Sequence, residues 1–148
     1  MLSLLALRLQ FCPQGTRKGA ILGPWKILVA DRNRHVRELL RRVLTAEGYR
    51  VQVAKDGLEV WTRLTGEEPP DLLILDLEIP YLEELQELAL FRESEPRLPL
   101  IIYSFTRDYP HDFLTSRAAL FLEKMENTDR LKAAVDEVIS KHYHLARK

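Results

Sequence analysis

Four side chains that could take part in chemistry lie at or just beyond the ends of short apolar runs. They are two carboxylates, a hydroxyl and an amine, at Asp31, Asp76, Ser104 and Lys124. An aspartate can act as a nucleophile or bind a metal ion, and a hydroxyl with an ammonium can contact the oxygens of a tetrahedral anion. The set therefore indicates a small phosphoryl-binding pocket, in which an aspartate could itself be phosphorylated.

The apolar runs before these residues are typical of strands in a parallel sheet. The run Leu72–Leu75 is apolar at every position, which predicts a central strand that is covered on both faces. Tyr49, Val51 and Val53 alternate with polar residues, which predicts a half-exposed edge strand. The remaining predicted strands are Ile27–Ala30, Leu100–Tyr103 and Ala119–Leu122.

Helical patterns alternate with these five strands. Gly48 is expected to end the first helix, and Asn127 or Thr128 to begin the last. A short fourth helix is predicted over Asp112–Arg117. The residues predicted to form the apolar faces of the other helices are Val36, Leu39, Leu40, Val43 and Leu44 in the first, Leu58, Trp61 and Leu64 in the second, Leu82, Leu85, Leu88 and Ala89 in the third, and Leu131, Val135, Val138 and Ile139 in the fifth. The alternation predicts a doubly wound α/β fold, whose functional groups gather at the carboxyl ends of the strands.

Length and charge limit the classes of function. The 148 residues fit one domain, and the 22 basic and 22 acidic residues give no overall field that would attract nucleic acid or an anionic membrane. We expect a flexible leader over residues 1–24, one domain over 25–141 and a frayed C-terminus over 142–148. The apolar segment Met1–Leu7 ends at Arg8, far short of the roughly 20 residues that a membrane span needs.

Other residues argue against several enzyme classes. Cys12 is the single cysteine, which excludes an internal disulfide and a multi-thiolate zinc site within the chain and favours a cytoplasmic location. No glycine-rich loop follows the first strand, and no serine or cysteine nucleophile stands out beside a histidine base. We therefore expect a protein that is not an enzyme.

The motifs around the four polar residues resemble the receiver domain of two-component response regulators. They are KILVAD at Lys26–Asp31, PDLLILD at Pro70–Asp76 with Pro80 four places further on, Ser104 after its apolar run, and Lys124. Each motif is weak alone, but four of them on consecutive elements resemble the family from about residue 25 to residue 141.

This resemblance implies a flavodoxin-like fold, with a five-stranded parallel sheet in the order 2-1-3-4-5 and five helices. It implies that Asp76 is the phosphoacceptor and that Ser104 and Lys124 contact the phosphate. Phe121 falls at the aromatic position that changes rotamer on activation. The implied partners are a histidine kinase or phosphotransfer protein and a downstream protein that binds the last helix-strand-helix face.

The sequence departs from the family pattern at the metal site. Receivers carry two adjacent acids after the first strand, and Arg32 stands in place of the second. Mg²⁺ requires oxygen ligands, so the implied metal site, built from Asp31 with Glu78 as a substitute ligand, is weakened by a missing carboxylate and an added positive charge. Arg32 could instead pair with Asp76 or stabilise a phosphoryl group.

Two smaller departures concern loops. Met125 stands where receivers place a proline, and Glu84 where they place a glycine. The first could shift the amine of Lys124, and the second could redirect the loop after Pro80.

Simpler explanations remain for each residue. Asp31 could cap the following helix, Ser104 could be a loop hydroxyl, Phe121 a core residue and Lys124 a surface lysine. The arginines at positions 32, 34, 37, 41 and 42 are interpreted as a solvated helix face, without direct contact to nucleic acid.

Two functional hypotheses follow. In the first, the chain is a single-domain receiver that is phosphorylated on Asp76 and signals by protein contact, because no effector domain follows Lys141. In the second, it is a pseudo-receiver, an interaction module that is never phosphorylated because of Arg32.

Overall fold

The computed structural model describes residues 24–83, 98–105, 120–124 and 127–144. In this part of the chain, five strands form one parallel sheet in the order β2-β1-β3-β4-β5. The strands are β1 Lys26–Ala30, β2 Arg50–Ala54, β3 Leu72–Leu75, β4 Leu100–Ser104 and β5 Leu120–Glu123. The described helices are α1 Arg34–Ala46, α2 Gly57–Leu64 and α3 Asp129–His144. The predicted fold class and strand order are confirmed.

Several predictions fall on other parts of the chain. The third predicted helix, beyond Glu83, and the fourth, over residues 112–117, lie outside the described residues, as do Glu84 and Met125. Nearly all of the predicted leader also lies outside them. Of the described helices, none combines the length and the apolar character that a bilayer span demands.

The central position of β3 follows from its sequence. All four of its residues are buried, and it pairs with β1 on one side and β4 on the other. Alternate residues of each strand point to opposite faces, so the sheet separates two apolar clusters. One contains Ile27, Ile74 and Ile101, and the other contains Leu28 and Leu75. The sheet is thus covered on both faces, as a parallel sheet requires.

The start of α1 is fixed by Asn33. Its side-chain Oδ1 accepts hydrogen bonds from the backbone N–H groups of His35 (2.8 Å) and Val36 (3.3 Å). Asp31 is therefore not the cap, and that alternative is wrong. The helix packs on the sheet through Leu40 and Leu44.

The second helix packs through a different face from the one predicted. Asp56 caps it by accepting a hydrogen bond from the backbone of Glu59. The buried positions are Gly57, Val60 and Leu64, whereas Leu58 is 49% exposed and Trp61 is 40% exposed. The prediction that Leu58 and Trp61 face the core is wrong, because the stripe at spacing three and four passes through Val60 instead.

The last helix is held at both of its ends by contacts outside the helix. The Asn127 side chain accepts a hydrogen bond from the Asp129 backbone N–H at 2.7 Å, and the predicted apolar positions of the helix are buried. The helix continues to His144, beyond the boundary predicted at residue 141. Tyr143 stacks on Trp25 with ring centroids 4.7 Å apart and donates to the Asp71 carbonyl at 2.8 Å. These contacts hold the end of α3 against the amino ends of the strands.

Candidate functional site

The carboxyl ends of β1, β3, β4 and β5 bring the four predicted polar residues together. The backbone N–H of Asp76 donates to the Ala30 carbonyl at 2.9 Å, which fixes the end of β3 beside the end of β1. The backbone N–H of Lys124 donates to the Ser104 carbonyl at 3.0 Å and fixes the end of β5 beside β4. The residues converge because parallel strands all end at the same edge of the sheet.

Asp76 lies at the centre of this group and is 1% exposed. Its Oδ1 accepts hydrogen bonds from the Ser104 hydroxyl (3.1 Å) and from the backbone N–H of Glu78 (3.1 Å). Its Oδ2 contacts the Lys124 ammonium at 3.1 Å. A buried carboxylate is stable only with such partners, and here both of its oxygens have one.

Lys124 connects the two buried aspartates. Its Nζ lies 2.5 Å from Asp31 Oδ2 and 3.1 Å from Asp76 Oδ2, and its side chain is 5% exposed. The alternative of a solvated surface lysine is therefore wrong. One ammonium compensates two carboxylates that would otherwise repel each other in a poorly hydrated space.

Asp31 is held from several directions. Its Oδ1 accepts the backbone N–H of Asn33 at 2.8 Å, and its carbonyl accepts a hydrogen bond from the Arg37 guanidinium at 2.8 Å. Burial raises the pKa of this carboxyl above its usual value, although the hydrogen bond from Lys124 opposes the shift. Sequence reasoning placed Arg37 on a solvated face. It is half-buried and braces the β1–α1 loop.

Arg32 and Glu78 form an ion pair beside this pocket. The Arg32 guanidinium donates to Glu78 Oε2 at 3.2 Å, and both side chains are partly exposed. Arg32 is the residue that stands where the family pattern has a second acid. Glu78 is the residue that was expected to act as a substitute metal ligand. The structure therefore gives Arg32 a carboxylate partner in Glu78, and not in Asp76, which was one of the two alternatives considered for Arg32.

The described residues do not fit a preformed magnesium site. Oδ2 of both Asp31 and Asp76 is directed at the Lys124 ammonium, and the Glu78 carboxylate is paired with a guanidinium. Within the described ranges, no group of three or more histidine, cysteine, aspartate or glutamate residues could hold a metal ion. Mg²⁺ favours a set of oxygen ligands without competing cations, whereas this pocket holds the Lys124 ammonium and has the Arg32 guanidinium beside it.

Two phenylalanines lie near the pocket. Phe121, the predicted switch residue, is half-buried and packs against the apolar cluster that contains Leu75. Phe105, which sequence reasoning missed, lies with its ring centroid 5.1 Å from the Lys124 Nζ. Its position in the sequence could have revealed it, because a residue directly after Ser104 lies at the carboxyl ends of the strands, where the polar residues gather.

The chain matches the family model of the response regulator receiver domain over residues 27–136. This match covers more than half of the chain and includes Asp31, Asp76, Ser104 and Lys124. The chain belongs to the response regulator receiver family. The predicted family is thereby confirmed.

Curated relatives match part of this receiver. Response regulator MprA of Mycobacterium sp. strain KMS is 39% identical over 79 residues, which is 53% of this chain and 34% of that protein. Response regulator MprA of Mycobacterium avium strain 104 is 39% identical over 77 residues, covering 52% of this chain and 33% of that protein. The matched segment thus spans about a third of the length of these relatives.

Solved structures of receivers share the fold. The response regulator TrrA of Thermotoga maritima, crystallised in complex with Mg²⁺-BeF, is 31% identical, covers 77% of this chain and 98% of its own, and superposes with a TM-score of 0.66. A CheY-like receiver domain of Methanospirillum hungatei is 21% identical, covers 80% of this chain and 95% of its own, and gives a TM-score of 0.68. The second likeness shows the fold alone. Receiver domains typically bind Mg²⁺, and in this chain Arg32 and Glu78 are paired with each other.

Proposed function

We propose that this receiver accepts a phosphoryl group on Asp76 from a histidine kinase or a phosphotransfer protein. The observation that carries the proposal is the group around Asp76, where the Ser104 hydroxyl and the Lys124 ammonium already contact the carboxylate oxygens. In the transfer, an oxygen of Asp76 forms a bond to phosphorus while the P–N bond of the donor phosphohistidine breaks. Lys124 and Ser104 then contact the oxygens of the transferred group.

The added charge provides the signal. An aspartyl phosphate carries more negative charge than a carboxylate and offers several acceptor oxygens. Ser104 ends β4 and Lys124 follows β5, which is the edge strand beside β4. A shift of either side chain toward the phosphoryl group therefore changes the surface at the carboxyl ends of these two strands. We propose that the face formed by β5 with α3, together with the ring of Phe121, presents this change to a downstream protein. The chain then acts as a signalling module and not as an enzyme.

The direct test is the mass of the intact protein after incubation with acetyl phosphate and Mg²⁺, with a parallel sample containing a chelator. We expect a gain of one phosphoryl group in the parent chain and none in Asp76→Asn. Asp129→Asn removes an exposed carboxylate and is the matched control. A gain that persists in Asp76→Asn would overturn the assignment of the phosphoacceptor.

A pseudo-receiver is the second candidate, and the Arg32–Glu78 ion pair favours it. A guanidinium beside the pocket repels a divalent cation, and the two aspartates are already compensated by Lys124. If the parent chain gains no mass but Arg32→Asp does so with Mg²⁺, the fold and pocket are those of a receiver that has given up phosphorylation. Phosphorylation of the parent chain would exclude this candidate.

A further inference from the structure

Two large apolar side chains are exposed on one face of α2. Leu58 is 49% exposed and Trp61 is 40% exposed, and residues three apart share a face of a helix. The backbone N–H of Gly57, at the start of α2, donates to the Pro80 carbonyl at 2.8 Å. Tyr81, which follows Pro80, therefore lies near the first turn of α2, and it is 54% exposed. Leu58, Trp61 and Tyr81 are called the α2 patch below.

The backbone of Tyr81 is a second reason to regard this patch as an interaction surface. Its φ is 61°, in the left-handed region that favours glycine and disfavours a bulky side chain. More than half of Tyr81 is exposed, so burial within this structure offsets little of that cost. A segment docked on the patch would offset it by removing the ring from water.

The residues before β1 have the composition to cover the patch. Met1–Leu7 is apolar at every position except Ser3. Residues 8–24 can extend over at most about 55 Å. By comparison, the eight residues of α2 span about 12 Å and the five residues of β1 about 17 Å. Met1–Leu7 can therefore reach the patch from the amino end of β1, where residue 24 joins the domain.

The charges along this route are complementary. Residues 1–24 contain no acidic residue, and their basic residues are Arg8, Arg17 and Lys18. The loop that leads from α2 to β3 carries Glu67 and Glu68, and both are exposed. Glu68 contacts the Arg50 guanidinium at 3.1 Å, and the Arg50 backbone N–H donates to the Trp25 carbonyl at 2.9 Å. The acidic loop thus lies where residues 1–24 meet the domain.

We propose that Met1–Leu7 docks on the α2 patch of the same chain, with the basic residues that follow it beside Glu67 and Glu68. Burial of apolar surface drives the docking, and the opposite charges orient the segment along α2. Tyr81 follows Asp76 by five positions, so the docked segment borders the loop after β3. Docking of this kind requires no phosphoryl group and goes beyond the function proposed above.

Limited digestion of the full chain with trypsin tests the docking from the side of α2. Trypsin cuts after Arg8, and mass spectrometry follows the rate of that cut. We expect Leu58→Asp to raise the rate several-fold, because a charge on the patch cannot be buried without a partner and releases the segment. Leu39→Asp places the same charge at an exposed leucine of α1 and should leave the rate unchanged. Equal rates in the parent chain and Leu58→Asp would overturn the proposal.

The second test leaves the domain unchanged, so it holds even if Leu58→Asp fails to fold. The chain has two tryptophans, and Trp25 is 5% exposed, so quenching by acrylamide reports mainly on Trp61. We expect the double variant Leu4→Gln, Leu5→Gln to raise the quenching constant about twofold, because the Trp61 ring returns to solvent. Ser3→Gln, which adds the same side chain at a polar position, should match the parent chain. No difference between the double variant and the parent would contradict the docking.

Other occupants of the patch give different results. If a second copy of the chain covered it, quenching of Trp61 would fall as the protein concentration rises, and light scattering would show a dimer. If Met1–Leu7 bound a lipid surface instead, only anionic vesicles would protect the Arg8 site from trypsin, and Trp61 would be quenched equally in all variants. Either result excludes docking within the chain.

Discussion

At the scale of single residues, the pocket is a balance of charge in a poorly hydrated space. Lys124 compensates Asp31 and Asp76, while Arg32 and Glu78 compensate each other closer to solvent. With all five groups ionised, one negative charge is left over in the pocket. The resting site therefore already contains the cations that would screen an incoming phosphoryl group, and a divalent ion would have to compete with them.

The pH dependence of stability should reveal the cost of burying Asp31. Burial raises the pKa of this carboxyl in the folded chain above 3.8, so folding favours its protonated form. Its contribution to the free energy of unfolding is present at lower pH and is lost as pH rises from 3.8 through the folded pKa. Relative to Asp31→Asn, the parent chain should lose stability over that window by at most about 1.4 kcal/mol per pH unit.

Urea unfolding at a series of pH values measures this difference. Asp129→Asn, which removes an exposed carboxylate, corrects for the general effect of losing one acid. If the parent chain instead gains stability over Asp31→Asn as pH rises, the attraction of Lys124 outweighs the burial of Asp31.

The positions of the polar residues could be predicted from the sequence, but their contacts could not. Asp76 follows an unbroken apolar run, and that pattern alone places it at the end of a buried strand. The contact between Arg37 and the Asp31 carbonyl escaped prediction, because a long side chain on a polar helix face can reach either solvent or a neighbouring loop. The contact between Phe105 and Lys124 was also not predicted, because the two residues are 19 positions apart in the chain and meet only when β4 and β5 pair.

At the scale of elements, α1 depends on its first turn. The side chain of Asn33 satisfies two backbone N–H groups that have no partner within the helix. We expect Asn33→Ala to lower the free energy of unfolding by about 1 kcal/mol and Asn33→Ser to recover most of it. Chemical denaturation measures both values.

Thr45→Ala near the other end of α1 provides the control for this prediction, because it is an exposed substitution in the same helix that removes no cap. Its effect should stay within about 0.5 kcal/mol. The backbone N–H of Asn33 also donates to Asp31, and neither substitution at Asn33 removes that donor. An effect of Asn33→Ala no larger than that of Thr45→Ala would show that solvent replaces the cap.

The short α2 shows the limit of periodicity at this scale. Its eight residues contain Leu58, Val60, Trp61 and Leu64, and a helix of two turns can place either of two stripes against the sheet. Contact with β1 and β2 decides between them, and the narrower Gly57–Val60–Leu64 stripe is the one that is buried. In α3 the longer apolar repeat defines a single face that can pack against the sheet, and the residues predicted for that face are buried.

At the scale of the whole molecule, Tyr143 joins the last helix to the amino ends of the strands. Its hydroxyl donates to the Asp71 carbonyl and its ring stacks on Trp25. We expect Tyr143→Phe to lower the free energy of unfolding by about 1 kcal/mol, through the lost hydrogen bond. Tyr143→Ala should cost about 2 to 3 kcal/mol, because the ring contact is also lost.

Thermal and urea unfolding, each followed by circular dichroism and by tryptophan fluorescence, measure these changes in the free energy of unfolding. Tyr81→Phe removes the hydroxyl of an exposed tyrosine and should stay within about 0.5 kcal/mol of the parent. Equal effects of Tyr143→Phe and Tyr81→Phe would mean that the Tyr143 hydroxyl contributes nothing to folding.

The sheet as a whole was predictable because alternating strands and helices with right-handed crossovers leave few topologies, and the family resemblance selected one. The end of α3 was not predictable. Residues 142–144 carry no apolar repeat that extends the helix, and Tyr143 is held there by the distant Trp25 and Asp71. Such contacts exist only once the sheet has formed.

The Trp25–Tyr143 contact and the acidic pocket lie at opposite ends of β3. Asp71 and Asp76 are five residues apart along an extended strand, or roughly 16 Å. Substitutions this far apart usually have additive effects. Stronger packing around Trp25 and Tyr143 would therefore raise the free energy of unfolding without altering the acidic pocket. The added stability would let the protein tolerate destabilising charges in that pocket. A guanidinium beside the pocket, such as that of Arg32, is a charge that such a separation makes easier to accommodate.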